Sequence, residues 1–311
     1  MQLTRIPATD FDLATTLDSG QVFHWEKVDG GFVGAIGEQA VYVEQDGEVL
    51  KIRDGEARAL PRIVANYFAL DHSLAEICAS FPNDPAMNAA RKFCRGLRVI
   101  RQPKWECLAT FICSSMKQVA HIRQISRKLR ERFGETRQID PPSSRLRRGK
   151  ASQTIDTFIV YTFPSAERIA QSSEKELRKC ALGYRAKNLL VTARVVASGD
   201  VDLEKLGTLS NVDLRARLCE LPGVGAKVAN CVMLFAYERL SAFPIDVWIE
   251  RILREKYFPR ARKLNAKRLQ AFTQKYFGDH GGYAQQYLFH HARTTKRKSK
   301  GGSFVTILGV R

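Results

Sequence analysis

The stretch Leu221-Pro-Gly-Val-Gly-Ala-Lys227-Val-Ala-Asn-Cys231 decides how the rest of this chain of 311 residues is read. Apolar periodic segments flank it, which predicts a helix ending near Leu221 and a second starting near Gly225, joined by a tight hairpin. Glycine at 223 and 225 permits the turn and lets a ligand approach the backbone closely. The free N–H groups at the following helix start form a ready site for a phosphate oxygen.

A helix-hairpin-helix of this kind grips a nucleic-acid backbone without reading its sequence. Lys227 falls in the first turn of the second helix, where the positive helix end disfavours a further positive charge. A neutral amine there can attack a sugar carbon and form a Schiff base. The same position equally suits a lysine that only contacts phosphate. Asp246, in Phe243-Pro-Ile-Asp246-Val-Trp-Ile-Glu-Arg-Ile, reads as the N-cap of a further helix. A plain cap is one reading. The other follows from spacing: one helix and a return loop after Lys227, the carboxylate can face the same cleft and stabilise an oxocarbenium-like sugar.

Charge distribution agrees with a polyphosphate partner. The net formal charge is +18, yet residues 1–80 carry six Lys/Arg against thirteen Asp/Glu. The remainder holds a net +25, a surface that releases condensed counterions on meeting DNA. The 44% apolar content excludes a wholly disordered basic chain, and no run reaches the ~18 apolar residues of a membrane span. The start of the chain lacks the apolar core of a signal peptide, so an intracellular protein is expected. Seven cysteines, with no C-x-x-C pair, read as reduced, mainly buried thiols.

In the first 55 residues, Phe32–Ile36, Ala40–Glu44 and Val49–Ile52 are β-prone runs separated by turn residues, which predicts an antiparallel meander. From about Glu56 the period becomes helical. One helix is expected over Glu106–Phe133, with others near 166–180, 185–198, 211–219, 225–237, 247–257, 264–277 and 282–293. Residues 137–154 read as an exposed basic loop.

With these residues in hand, the chain resembles the helix-hairpin-helix DNA glycosylase superfamily, and within it the 8-oxoguanine DNA glycosylase/lyase branch. The likeness spans about residues 10–293. It is carried by Ser19-Gly-Gln-Val-Phe-His-Trp25, Tyr67–Asp71, Gly96–Gln102, Glu106–Ser115, Leu182-Gly-Tyr-Arg-Ala186, the hairpin, Pro244–Val247, Ala284-Gln285 and Leu288-Phe289. The iron–sulfur branch, endonuclease III, shares a lysine at Lys227 but has four cysteines after the aspartate; here none follows Cys231. The alkylpurine glycosylases normally lack the lysine.

The resemblance implies an α+β fold: an N-terminal antiparallel β-sheet (TBP-like) domain over 1–95, an all-α glycosylase domain over 96–293, and a basic tail over 294–311. It implies a monomer that flips a damaged nucleotide out of duplex DNA, with no cofactor and no metal in the chemistry. Lys227 would be the nucleophile and Asp246 its electrostatic partner. Phe289 and Cys231 would sandwich the flipped base, Gln285 would bond its Watson–Crick edge, and the Gly20 carbonyl would accept the N7 hydrogen that guanine lacks. Tyr184 would wedge into the stack and Arg185 address the orphaned base, while Gly223 and Gly225 hold phosphate.

Three positions depart from the family. Met116 and His121 stand where an asparagine and an arginine normally bond the cytosine opposite the lesion, and Trp248 stands where a histidine often contacts phosphate. Two other readings stay open: the same superfamily acting on another damaged base, and a non-catalytic helix-hairpin-helix DNA-binding protein, which needs neither Lys227 nor Asp246.

Overall fold

Alternating apolar residues build the first layer, a five-stranded antiparallel sheet in the order β1-β5-β4-β3-β2. Its strands are β1 (Leu3–Pro7), β2 (Glu26–Val28), β3 (Gly31–Ile36), β4 (Gln39–Asp46) and β5 (Val49–Arg53). The computed structural model describes residues 3–28, 30–53, 59–140, 157–261 and 263–301, the last six of these by their backbone alone. Most of the basic loop expected at 137–154, and the tail from 302, lie outside the described residues.

The three strands expected from the sequence are β3, β4 and β5, and β1 adds an outer strand beside β5 with Leu3 opposite Arg53. Both faces are covered. Val41, Val43, Leu50 and Ile52 pack with Val64, Tyr67 and Phe68. On the other face Tyr42 and Val33 meet Ile139 and Val160. The last two come from a hairpin of β6 (Thr136–Ile139) and β7 (Phe158–Tyr161). Short α1 (Leu13–Asp18) interrupts the segment read as strand, started by Asp12, which accepts from the Thr15 N–H at 2.7 Å.

The helical body follows: α2 (Leu60–Tyr67), α3 (Leu74–Ala79), α4 (Pro85–Phe93), α5 (Lys104–Ser114), α6 (Val119–Phe133), α7 (Ala166–Ala170), α8 (Glu174–Leu177), α9 (Arg185–Ala197) and α10 (Leu203–Leu206). It ends with α11 (Asn211–Cys219), α12 (Ala226–Ala236), α13 (Val247–Ile252), α14 (Ala266–Phe277) and α15 (Gly281–Gly301). One large apolar core joins α3 through α15.

The stretch 106–133, read from its period as one helix, is two. The ladder stops at Ser114, whose hydroxyl turns back to the Phe111 carbonyl at 2.8 Å. Met116 then adopts φ +54°, a left-handed conformation, and α6 restarts after Gln118.

Between the layers runs an irregular strap, residues 96–102. Gln21 donates to the Arg98 carbonyl at 2.8 Å and accepts from the Ile100 N–H at 2.8 Å. Gln102 returns to the Gln21 carbonyl at 2.7 Å. The Arg98 guanidinium reaches the carbonyls of Ala69, His72 and Thr9. Farther along the seam, buried Glu106 on α5 pairs with Arg130 on α6, and His24 Nδ1 lies 3.4 Å away. Burial keeps the His24 imidazole well below its ordinary value and pushes the Glu106 carboxyl up, with Arg130 opposing the latter.

Removing the cation leaves Glu106 buried alone, so Arg130→Ala is expected to cost about 3–5 kcal/mol in urea unfolding. The double change Arg130→Met with Glu106→Leu should recover most of that loss.

Candidate active site

The hairpin forms as its glycines require. Gly223 takes φ +82°, and a Cβ there would lie 2.8 Å from Asn188 Nδ2. Gly225 is the N-cap of α12 and has open space at its Cβ position. Lys227 follows in the first turn, half-buried. Its Nζ donates to Ser114 Oγ at 3.3 Å and lies 5.2 Å from the centroid of the Phe111 ring. Cys231, one turn on, is buried beside the same amine, and burial pushes its thiol up to about 11, so it stays protonated at neutral pH.

Asp246 caps α13, accepting from the Ile249 N–H at 2.8 Å. Burial raises its carboxyl above the ordinary range, while the Ile249 N–H and the Lys227 charge pull the other way. Lys227 thus sits within electrostatic reach of Asp246, as the spacing implied. Asn230 helps hold the return loop, donating to the Phe243 carbonyl at 3.4 Å.

A second group of expected residues meets around Gly20. Gly20 takes φ +87°, and a Cβ there would lie 3.0 Å from the Phe289 ring, leaving no room for a side chain. Gln286 donates to the Ser19 carbonyl at 3.0 Å, tying α15 to this segment. Gln285 is buried one turn before Phe289, and its Oε1 has no hydrogen-bond partner. An unpaired buried acceptor is costly unless a ligand supplies a donor.

The third group forms an exposed edge. Met116 is 92% exposed and Tyr184 55%, with the Tyr184 hydroxyl 4.0 Å from the Met116 sulfur. His121 is exposed in the first turn of α6. Arg185 is buried instead: its guanidinium donates twice to the Ser115 carbonyl, once to that of Leu182 at 3.3 Å, and lies over the Tyr184 ring. Trp248 is half-buried on α13, with Arg251 over its ring.

Sequence reasoning missed Ser114 and Phe111 as neighbours of Lys227. Both lie in an apolar helical run, where they read as core; a helix end facing the hairpin was the only available signal. A groove of about 820 Å³ at the far end of α12, lined by Arg62, Arg101, Lys104 and Arg239 among others, contains none of the expected residues. Among the described residues no cluster of His, Cys, Asp or Glu is arranged to hold a metal, and no helix is long and apolar enough to cross a membrane.

A lysine in the first turn after a glycine hairpin, within electrostatic reach of a carboxylate, is the arrangement expected of the base-excision glycosylases of the helix-hairpin-helix class. The family models make that specific: residues 4–108 match the N-terminal domain of 8-oxoguanine DNA glycosylase, and 109–276 match the HhH-GPD superfamily of base excision DNA repair proteins. The chain belongs to the 8-oxoguanine DNA glycosylase family within that superfamily. It is 32% identical to the N-glycosylase/DNA lyase OGG1 of Arabidopsis thaliana, over 92% of this chain and 78% of that protein. Two solved structures are alike over most of both chains. MBOgg1 in complex with a low-affinity DNA ligand is 34% identical, with TM-score 0.84 over 95% of this chain and 97% of that one. The apo 8-oxoguanine glycosylase/lyase of Clostridium acetobutylicum is 28% identical, with TM-score 0.81 over 94% and 96%.

The cap and the charge of Asp246 can be separated. Asp246→Ala is expected to destabilise by about 1 kcal/mol through loss of the cap, whereas Asp246→Asn keeps an acceptor and stays within a few tenths. Thermal melting of the two variants measures the difference.

Proposed function

We propose that this protein releases 8-oxoguanine from duplex DNA and then cleaves the strand at the abasic sugar, with Lys227 as the nucleophile and Asp246 as its electrostatic partner. The observation that carries the reading is the Lys227 amine at the start of α12, within electrostatic reach of half-buried Asp246. The target nucleotide leaves the stack, since its sugar cannot be reached inside the duplex. The amine lone pair bonds to C1′ as the base departs with the glycosidic electron pair. The ionised Asp246 stabilises positive charge on the sugar while this happens. Loss of a proton from nitrogen and opening of the sugar give the imine, which acidifies C2′; its proton leaves and the 3′ phosphate is eliminated. Protonating Asp246 removes the stabilising charge, so its raised carboxyl sets the lower pH bound of the reaction above the ordinary carboxylate range.

The base pocket is assigned by the same reading. Phe289 stacks on the base and Cys231, a neutral thiol, covers the other face. The unpartnered Gln285 Oε1 accepts from its Watson–Crick edge. Gly20 presents its carbonyl to the N7 hydrogen, a donor that 8-oxoguanine has and guanine lacks. Tyr184, with Met116 beside it, enters the stack, and Gly223 and Gly225 hold the backbone. The protein acts as a monomer on chromosomal DNA, inside the cell.

Borohydride should link the protein covalently to duplexes carrying 8-oxoguanine, and Lys227→Gln should abolish the link. Trapping that survives this change removes the nucleophile assignment.

Met116 has no edge to offer a cytosine, and Arg185 is engaged with Ser115. Cleavage rates on duplexes with each of the four bases opposite the lesion should therefore fall within about tenfold of one another, the span of one 1.4 kcal/mol difference. A steep preference for cytosine would contradict this expectation.

A further inference from the structure

Helix α5 ends against the amine. Ser114, its last residue, is buried, and its hydroxyl donates to the Phe111 carbonyl at 2.8 Å. Lys227 Nζ donates to the same oxygen at 3.3 Å while lying 5.2 Å from the Phe111 ring centroid. A serine hydroxyl has one proton and two acceptor lone pairs. With the proton committed to Phe111, Ser114 can only accept from the amine. The electron-rich ring face likewise attracts an N–H and repels a lone pair. Spaced three apart, the two residues share one face of α5, so both demands come from the same side.

We propose that Ser114 and Phe111 are positioning residues that orient the Lys227 amine, drawing its N–H bonds toward α5 and leaving its lone pair to the cleft. The proposal rests on the reading of Lys227 as nucleophile. A neutral amine has two N–H bonds and one lone pair, and rotation about the Cε–Nζ bond spreads that lone pair over three staggered directions. One N–H acceptor, Ser114, and an electron-rich ring face on the same side select among them. At an abasic site the selected lone pair bonds to the C1′ aldehyde carbon. The amine then gives up two protons, the aldehyde oxygen leaves as water, and the C1′=Nζ imine remains.

The support itself is held from outside the cleft. Immediately after Ser114, the Ser115 carbonyl is gripped by Arg185 from α9, and the Lys117 N–H returns to the Ser114 carbonyl at 3.1 Å. Ser114 is therefore fixed between its own helix and a clamped turn. A reacting group gains rate from such support because its geometry is set before the substrate arrives.

Borohydride trapping on a duplex with a preformed abasic site isolates imine formation from base release, and it gives a plateau rate and a half-saturating protein concentration separately. Ser114→Ala is expected to lower the plateau rate about tenfold, the effect of losing one orienting hydrogen bond, with half-saturation unchanged and the melting temperature down by only about 2–4 °C, the cost of one buried hydrogen bond. Phe111→Leu keeps an apolar side chain without a ring face, lowers the plateau severalfold in the same manner, and decides the matter where the alanine variant does not fold. A plateau within about twofold of the parent in a folded variant, a difference of under 0.5 kcal/mol, overturns the proposal. So does a loss that only tracks melting temperature and affinity in both variants. Lys227→Gln distinguishes the two readings. Trapping that persists there removes the nucleophile itself, whereas abolished trapping there beside a normal Ser114→Ala removes only the orientation.

Discussion

Every backbone polar group of a buried strap must find a partner, and residues 96–102 have neither helix nor ladder to supply one. Gln21 takes the Arg98 carbonyl and the Ile100 N–H, and Thr16 and Tyr287 take the Arg98 N–H and the Leu97 carbonyl. The Arg101 and Gln102 N–H groups reach the carbonyls of Tyr67 and Phe235, while the Arg98 guanidinium ties the strap to Ala69, His72 and Thr9. The rest of the architecture follows from this solution. With Gln21 held on both sides of the strap, the neighbouring Gly20 has no freedom to move away from Phe289, and α15 is tied to the same segment through Gln286. The seam between sheet and helices is thus also where Gly20 meets Phe289.

The surroundings of Lys227 depend on where α5 stops. A helix two residues longer would remove the left-handed turn at Met116 and with it the Ser115 carbonyl's place under Arg185. The turn meets three elements: Lys227 through Ser114, Tyr184 through Met116, and α9 through Arg185, which bonds the Ser115 carbonyl twice. Arg185 uses three of its five N–H groups in this grip. It acts here as a structural brace for the turn that presents Met116.

Much of this was legible in the residues. The hairpin, the Lys227–Asp246 pair and three of the five strands followed from glycine placement, spacing and alternation, because each of those signals is local. The break after Ser114 was not legible: Leu108, Phe111, Ile112, Ile122 and Ile125 keep helical spacing through it, and the forces that end α5 come from Arg185, seventy residues away. Strand β1 escaped notice because its partner, β5, lies more than forty residues on and its own burial pattern has only Ile6 inside. Phe111 was read as one apolar position of a helical run, and Ser114 was not singled out. Their contact with Lys227 is tertiary, made across to α12, and composition carries no trace of it.

The acidic sheet and the basic helices have a kinetic meaning. A net −7 over residues 1–80 and +25 over the remainder form an electric dipole across the molecule. In the field of a DNA duplex such a dipole feels a torque at distances of about the Debye length, ~8 Å at physiological salt. Such a torque favours approaches that lead with the basic part of the chain. Rotational search is shortened where it would otherwise dominate the cost of finding a productive approach.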